Sequence, residues 1–573
     1  MKRVVQFVCL FGLVLVSASA AFAQQTPQPV VRLGNFIEVG NDVFMHIIAT
    51  ADIRYKTSQN ADFESRVRDR TLSRNPTSTA QHEQEGDLSY AELRFGVDFR
   101  YQKNLTFHLL FENQSVFDGS LIDDRANTSN PGGTDVFGRS ASTENPGFRV
   151  ERFYIRYQFP GTPIRLHVGP DYWQVSQAGI LANDNPRIAV DGDFGKLKVW
   201  ASAVIERESQ RLGLQNDNDS MYYVFGGSYD AKPHKFGMDV VWFRDRFAGA
   251  DTAVAGNRDI GWTGQKVDSV WVNASWSGKM GPIRGLVQGN VLAGTARGST
   301  VRGSGATGLP TVVPLRREYD IFAASAIAYL EAELGMVRPF VGLVYGSGDG
   351  DARDNKLHGF QTQNVSDSTA IASNGFMNHL DTSVAFAHRD YSCPGLAQIS
   401  PVAQPAGTTR NPYAVGREVL GAGGGRTECA HSTSNVYNSR LGVTSHLGIQ
   451  TTYSNPGTLV IPVGIRLFPM KGHEVTGWYV YRAMISSKLL DVAFAPELRG
   501  GKINKTLYHG VGGFWQWTLN PHFDIRLSGE IAIPGEGYKD LAKLADCNPN
   551  AGTQACDGND PALRAEARFR ARF

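Results

Sequence analysis

The chain has 573 residues, of which 42% are hydrophobic and 20% charged, with 62 glycines, 31 Phe, 20 Tyr and 9 Trp. Lys and Arg number 57 against 55 Asp and Glu, and this balance excludes binding of nucleic acid through bulk charge. Abundant glycine and aromatic residues with five cysteines disfavour a helical bundle and a disulfide scaffold. A mean hydropathy of −0.26 excludes a helical membrane protein. It leaves a membrane β-barrel open, because alternation hides the lipid-facing half of each strand.

The amino terminus has the pattern of a secretory signal over residues 1–23. Lys2 and Arg3 precede a short apolar run, and Ala-Phe-Ala at 21–23 fits a cleavage site, so the mature chain is predicted to begin at Gln24. A short membrane anchor is the alternative, but about 20 apolar residues are needed to span. Because no later run approaches that length, we expect an exported protein that enters a membrane only through strands.

Four cysteines follow the predicted signal: Cys393, Cys429, Cys547 and Cys556. An even set in an exported chain indicates disulfides, for which three connectivities exist. We favour the Cys393–Cys429 and Cys547–Cys556 pairs, because each pair lies in one loop-like segment. Free or metal-binding thiols remain the alternative, although no Cys-x-x-Cys spacing supports a metal.

Strict alternation of apolar and polar residues is the main structural signal. Residues 563–573 alternate Leu, Ala or Phe with Arg or Glu throughout, and residues 91–101 and 105–112 repeat the pattern on both sides of a short turn. In a strand, alternate side chains point to opposite faces. Each such segment is therefore predicted to be a strand with one apolar and one charged face.

The connections between predicted strands alternate between short turns, as at 102–104, 160–162 and 520–522, and long polar segments, as at 57–87 and 349–455. This alternation is typical of membrane barrels. We therefore predict an all-β fold in which residues 24–573 form a single transmembrane antiparallel up-and-down β-barrel of about 18 strands. Sixteen strands also fit. Turns would be periplasmic and long loops external. A soluble sandwich of this length would normally divide into domains.

Two stretches carry a resemblance to a known family: Tyr90–Arg100 with the hairpins that follow, and the acidic loop opening Gly346–Leu357. With the signal and the terminal Phe573, they resemble outer-membrane β-barrel porins, in particular the alginate-export-like and related porins of proteobacteria. The resemblance implies passive transport through a pore in a Gram-negative outer membrane, with lipid and lipopolysaccharide around the barrel. It does not imply alginate as cargo, and it leaves a homotrimer undecided.

Charged residues at the inward positions are the first candidate functional set. Charge on the lipid face is unfavourable, so these side chains should point into the lumen, where a basic wall favours anions. Pairs of arginine and acid that merely hold strand register are the second interpretation, and the two are compatible. The predicted pore-lining residues are Arg94, Arg100, Glu112, Arg152, Arg156, Arg165, Lys196, Lys198, Arg526, Glu530, Arg564, Arg568, Arg570 and Arg572.

Two further segments have open interpretations. Residues 170–186 are too irregular for a plain strand and too apolar for a free loop, so they are predicted either to fold inward as a constriction or to pack on the rim. Asp349, Asp351 and Asp354 could bind Ca²⁺ in the long loop. A solvated turn is the better interpretation, because the spacing departs from known calcium loops, and no other cofactor is expected.

Motifs for catalysis are missing from the sequence. Residues 303–308 match a dinucleotide-binding pattern by letters, but Leu309-Pro310 follows where a helix should begin. We therefore predict no enzyme but a water-filled channel for passive diffusion of ions and small hydrophilic solutes. The alternatives are an exporter or conduit for a polysaccharide or a partner protein complex, and a structural or adhesive barrel without an open pore.

Overall fold

The computed structural model describes residues 37–40, 42–59, 86–102, 104–116, 149–175, 181–207, 220–245, 266–300, 315–350, 356–360, 457–488, 491, 500–542 and 559–572. The predicted signal, the four predicted disulfide cysteines, Asp351 and Asp354 lie outside these residues. The predictions made for them therefore stay predictions.

Strands make up nearly all of the described chain. One short helix, α1, spans Glu536–Ala542. None of the described helices is long and apolar enough to span a membrane. The strands in chain order are β1 (Ile37–Gly40), β2 (Val43–Gln59), β3 (Gly86–Tyr101), β4 (Leu105–Val116), β5 (Arg149–Gln158), β6 (Ile164–Val175), β7 (Leu181–Phe194), β8 (Leu197–Arg207), β9 (Ser220–Ala231), β10 (His234–Asp245), β11 (Lys266–Met280), β12 (Ile283–Thr300), β13 (Leu315–Ala332), β14 (Val337–Gly346), β15 (Lys356–Leu357), β16 (Thr458–Leu467), β17 (His473–Ala483), β18 (Thr506–Asn520), β19 (Phe523–Pro534) and β20 (Ala562–Arg572).

Eighteen of these strands close into one antiparallel barrel. Each strand from β2 to β14 pairs with the next, β14 pairs with β16, and β16 to β20 continue in order. The barrel closes where β20 pairs with β2, with Ala571 opposite Ala51. The prediction of an all-β barrel of 18 strands is confirmed, and the count of 16 is wrong. The predicted short turns, such as 102–104 and 521–522, all lie at one end of this barrel, which we call the short-turn end.

Alternation along the strands separates an apolar outer face from the inner face. On β3, Phe95 is 51% exposed on the outer face, whereas Asp98, which points to the inner face, is buried. Trp242, Trp276, Trp515 and Trp517 lie on the outer face, but Trp173, Trp271 and Trp478 are buried on the inner one. This second group therefore cannot belong to an aromatic girdle of the kind that flanks the outer face of a membrane barrel. Because these strands carry apolar residues on both faces, their sequence pattern does not show which face points into the barrel.

Residues 170–186 form a β-hairpin in their described part: β6 continues to Val175, β7 begins at Leu181, and the two strands pair without interruption. This hairpin leaves the wall, because β5 pairs with β6 only up to Val168 and β8 pairs with β7 only from Arg187. Trp173 of the hairpin lies 5.1 Å from Tyr222 on the inner face of β9, three strands away, so the predicted inward fold is confirmed for the described part. Pro170 and Pro186 face each other in this register. The two missing amide donors therefore fall at one position of the ladder, and pairing continues on both sides. The local signal of Gly and Pro, which usually marks a turn, is overridden by the partner strand.

Gly169 begins this irregular stretch and tolerates no side chain. Its φ is +126°, and a Cβ would lie 2.2 Å from the Phe153 carbonyl oxygen and 2.9 Å from the Tyr154 Cα. We predict that Gly169→Ala destabilises the folded barrel by about 3 kcal/mol, from backbone strain plus the clash with β5. Urea unfolding of refolded protein measures this loss. Gly289→Ala is the control, because a Cβ there meets nothing within 4 Å, and an equal loss in both variants would contradict the prediction.

The first described part of the predicted external loop at 349–455 is attached to a strand of the barrel wall. β14 leaves β13 at Gly346, and β15 then pairs in parallel with β13 at Asp320 and Ile321. The Ser347 hydroxyl connects the two pieces: it accepts from the Ala324 amide at 2.9 Å and donates to the His358 carbonyl at 2.6 Å. Residues 356–357, near the start of the predicted loop, therefore belong to the sheet, and the remaining extent of the loop stays a prediction.

Candidate functional site

The inner wall of the barrel divides into two arcs of different chemistry. Inner positions of β19, β20 and β2 to β7 carry most of the charged residues, and we call this part the charged arc. Inner positions of β8 to β14 and β16 to β18 carry mainly buried apolar residues, and we call this part the apolar arc. Each arc is continuous because neighbouring strands bring like residues into register.

The apolar arc is packed. Trp173 of β6 continues it across Tyr222 of β9 and Phe243 of β10 to Trp271 of β11, with successive ring centroids 5.1, 4.7 and 5.9 Å apart. Tyr222, Phe243 and Trp271 are each 0% exposed. Aromatic rings at these separations attract beyond their burial alone. This part of the inner surface is therefore a hydrophobic core and not a wall in contact with water.

A cluster of charged residues lies at the short-turn end of the apolar arc and was not predicted. The Glu331 carboxylate accepts hydrogen bonds from Arg284 at 3.0 Å, Arg466 at 2.8 Å and the Tyr329 hydroxyl at 2.8 Å. Arg466 also donates to Glu474 at 2.8 Å. These residues come from β12, β13, β16 and β17, which lie far apart in sequence. Only the closed sheet brings them together.

The seam where the barrel closes is joined by charged pairs on the inner face. Arg568 of β20 donates from both Nε and Nη2 to Asp52 of β2. Arg570 and Arg572 both donate to Asp524 of β19, at 2.9 and 2.8 Å. Such charge-assisted bonds are about twice as strong as neutral ones. The structure thus places three of the predicted arginines on the inner wall, each with an acid on a neighbouring strand.

A β-bulge adds an acid that sequence alternation missed. Arg152 lies opposite Leu110 and Val150 opposite Phe111, so Glu151 is the extra residue of β5. Its carboxylate accepts from Arg94 at 2.7 and 2.9 Å and from Arg152 at 3.4 Å. Arg94 also donates to Glu112 at 3.2 Å. A bulge re-aims side chains locally, so strict alternation cannot predict Glu151.

A row of aromatic and acidic side chains crosses the charged arc and was also missed. His46, Asp98, His108 and Tyr154 lie opposite one another on β2 to β5, and His167 of β6 follows. We call these five residues the histidine row. Counting from the short turns would have revealed it, since Asp98 and His108 lie equally far from the turn at 102–104. Sequence spacing alone does not reveal the row, because the 13 histidines are scattered along the chain.

The remaining predicted pore-lining residues differ in their partners and exposure. Arg165 donates to Asp191 at 2.7 Å, and Lys198 lies 3.0 Å from Asp193. Arg526 is buried with its guanidinium carbon 3.9 Å from the Phe514 ring centroid. The remaining placements are Arg100 half-buried on β3, Arg156 over the Tyr154 ring, Glu530 buried on β19, Lys196 exposed in the turn after β7, and Arg564 on β20, whose side chain is not described.

Metal binding finds no support within the described part of the chain, where no group of three His, Cys, Asp or Glu could hold an ion. Asp349 is buried, and its two predicted companions lie outside the described residues. The calcium interpretation therefore stays a prediction.

The chain resembles known proteins only at low similarity. No family model and no curated protein sequence matches the chain. Among solved structures, a BenF-like porin from Pseudomonas fluorescens Pf-5 shares 9% identity at a TM-score of 0.42, covering 94% of this chain and 100% of its own. Pseudomonas aeruginosa OccK2 (OpdF) in complex with glucuronate shares 10% at 0.40, covering 94% and 99%. Pseudomonas putida OprB shares 10% at 0.37, covering 92% and 94%. At these values the likeness carries no functional argument, and the fold assignment depends on the strand pairing.

Proposed function

We propose that the chain is an outer-membrane porin through which ions and small hydrophilic solutes diffuse passively. Three observations support this proposal: the closed barrel of 18 strands, its apolar outer face, and an inner face that carries most of its charge in one arc. Closed barrels satisfy all backbone hydrogen bonds in lipid, and barrels of 16 to 18 strands are wide enough for an aqueous channel. Lipopolysaccharide around the barrel and a trimeric assembly remain predictions.

The route for solutes follows the charged arc in this proposal. Side chains of the apolar arc such as Trp271 are inaccessible to solvent, whereas Arg94 and Arg165 of the charged arc keep partial exposure on the inner face. Water and dissolved ions therefore meet charged side chains and not the aromatic core. Charge facing a narrow aqueous path controls which ions enter.

A preference for anions is supported by an asymmetry within the ion pairs. The Arg94 side chain is 27% exposed against 2% for Glu112, and Arg165 is 37% exposed against 29% for Asp191. Lys198 with Asp193, Arg187 with Asp171, and Arg570 with Asp524 show the same order. The acids neutralise the arginines overall but lie behind them. The charge that faces the solvent is therefore predominantly positive, and this observation carries the proposed selectivity.

Planar-bilayer recording on the refolded protein tests both the channel and its anion preference. We expect discrete current steps and, under a salt gradient, a reversal potential of the sign for anion selectivity. Replacing Arg94, Arg152 and Arg156 together by Gln should lower the chloride-to-potassium permeability ratio about threefold, because three exposed positive charges are lost.

The matched control replaces Lys232 and Lys471, which lie exposed in short turns, by Gln. It should leave the permeability ratio unchanged. Folded, inserted protein that passes no current would overturn the porin proposal in favour of a plugged barrel or a partner-dependent conduit. Discrete steps with cation selectivity would overturn the anion preference alone.

A further inference from the structure

We propose that the histidine row makes the selectivity of the channel depend on pH, so that anion preference rises when His108 and His46 bind protons. This inference rests on the proposed channel function. It names the residues that set the selectivity of one segment of the charged arc and the condition under which that selectivity changes.

Asp98 is the centre of the histidine row. Its Oδ1 lies 2.6 Å from His108 Nδ1 and its Oδ2 lies 3.5 Å from His46 Nδ1, so one carboxylate faces two imidazoles. All three side chains are buried on the inner face of neighbouring strands. Histidine changes charge between about pH 5 and 8. A carboxylate between two imidazoles is a suitable partner for the protonated form of either.

Ring stacking holds the rest of the row in place. The Tyr154 ring lies between the imidazoles of His108 and His167, with both centroid separations 4.5 Å. The Nε2 atom of His108 is buried and has no hydrogen-bond partner among the described residues. With Nδ1–H donated to Asp98, this second nitrogen is the atom that accepts the additional proton.

The charged groups that face the row are balanced when the histidines are neutral. Asp98 of β3 and Asp171 of β6 supply two negative charges, and Arg156 of β5 and Arg187 of β7 supply two positive ones. Arg187 donates to Asp171 at 2.9 Å, and His167 Nε2 lies 3.6 Å from the same carboxylate. Arg100 and Arg152 flank the row on β3 and β5.

Each proton that enters the row therefore makes the charge of this group more positive by one, since Arg156 and Arg187 already balance Asp98 and Asp171. The added positive charge lies in the wall of the charged arc, behind the more exposed side chains that face the solutes. Positive charge on a narrow wall concentrates anions and repels cations. Acidification should thus increase chloride permeability relative to potassium, with His108 as the residue in closest contact with the acid.

The experiment measures the reversal potential of the full mature protein in planar bilayers between about pH 8 and about pH 5.5, where histidines titrate and carboxylates do not. We expect the chloride-to-potassium permeability ratio to rise about threefold on acidification. His108→Gln should remove most of this rise, and the combined His46→Gln, His108→Gln and His167→Gln variant should remove all of it. Asp98→Asn should raise the ratio already at the alkaline end.

His234→Gln and His509→Gln are the matched controls, because both histidines lie on the outer face, bonded to Trp276 and Tyr479. Both controls should keep the full pH response. Current steps whose selectivity is independent of pH, or a pH response that survives in the triple variant, would overturn this inference and leave the channel function intact. Folded protein that passes no current at any pH would overturn the channel function itself, and this inference with it.

Nuclear magnetic resonance of protein labelled at histidine provides a readout that does not depend on current. The signal that disappears in His108→Gln identifies His108, and its chemical shift should change over the pH range of the bilayer recordings in step with the permeability ratio. A signal that stays constant over this range would overturn the role of His108 even if selectivity changes with pH.

Discussion

Replacing Glu331 by Ala should lower the free energy of unfolding by about 4 kcal/mol, because it removes the fully buried acid that three partly buried arginines share. The Glu331 side chain is fully buried and contacts Arg284, Arg466 and, at 3.6 Å, Arg338. Removing one member of a buried ionic cluster lowers stability by far more than the intact ion pair contributes, because the remaining charge stays buried. Unfolding in urea of protein refolded into lipid vesicles measures the loss.

Glu333 provides the matched control two residues further along the chain. It forms an ion pair with Lys279 at 2.7 Å, but its side chain is 21% exposed. Glu333→Gln should therefore change stability by no more than about 1 kcal/mol, as is usual for solvent-accessible pairs. Combining Glu331→Ala with Arg284→Met should recover part of the loss, since one uncompensated charge is then gone. Equal effects of the two single substitutions would show that burial of Glu331 carries no special energetic weight.

The fold could be predicted where local sequence determines it. Strands β3, β4, β19 and β20 have one apolar and one charged face, so their period-two pattern predicts both the strand and its orientation. Strands of the apolar arc lack this contrast, because buried aromatic residues occupy the inner face and exposed apolar residues occupy the outer one. That is why Trp271 and Trp242 could not be assigned to opposite faces from sequence.

The candidate site could be predicted only as a set of inward charges. The pairing of acids with arginines depends on the register between strands and on the bulge at Glu151. The local period-two pattern predicts neither of these. The contact between Glu331 and Arg466 joins residues 135 positions apart. Several arginines of the predicted basic wall are therefore paired with acids, and the proposed anion preference depends on relative exposure and not on the number of arginines.

Trp271→Ala should destabilise the barrel by about 4 kcal/mol, as expected for truncating a large aromatic side chain in a packed core. Trp271 is 0% exposed and contacts Phe243, with ring centroids 5.9 Å apart. Trp242→Ala is the matched control on the adjacent strand, because Trp242 is 42% exposed on the outer face and stacks on Tyr223 at 5.0 Å. Its loss should stay below about 1.5 kcal/mol.

The same two variants test where the solute route runs. If the apolar arc is a core and the charged arc carries the current, Trp271→Ala weakens the barrel but leaves the single-channel conductance of the folded protein unchanged. If water instead lined the apolar arc, removing an indole there would widen the route, so conductance would rise and stability would hardly change. Measuring conductance and unfolding on the same preparation therefore separates the two descriptions of the interior, because each predicts a large change in the quantity that the other leaves constant.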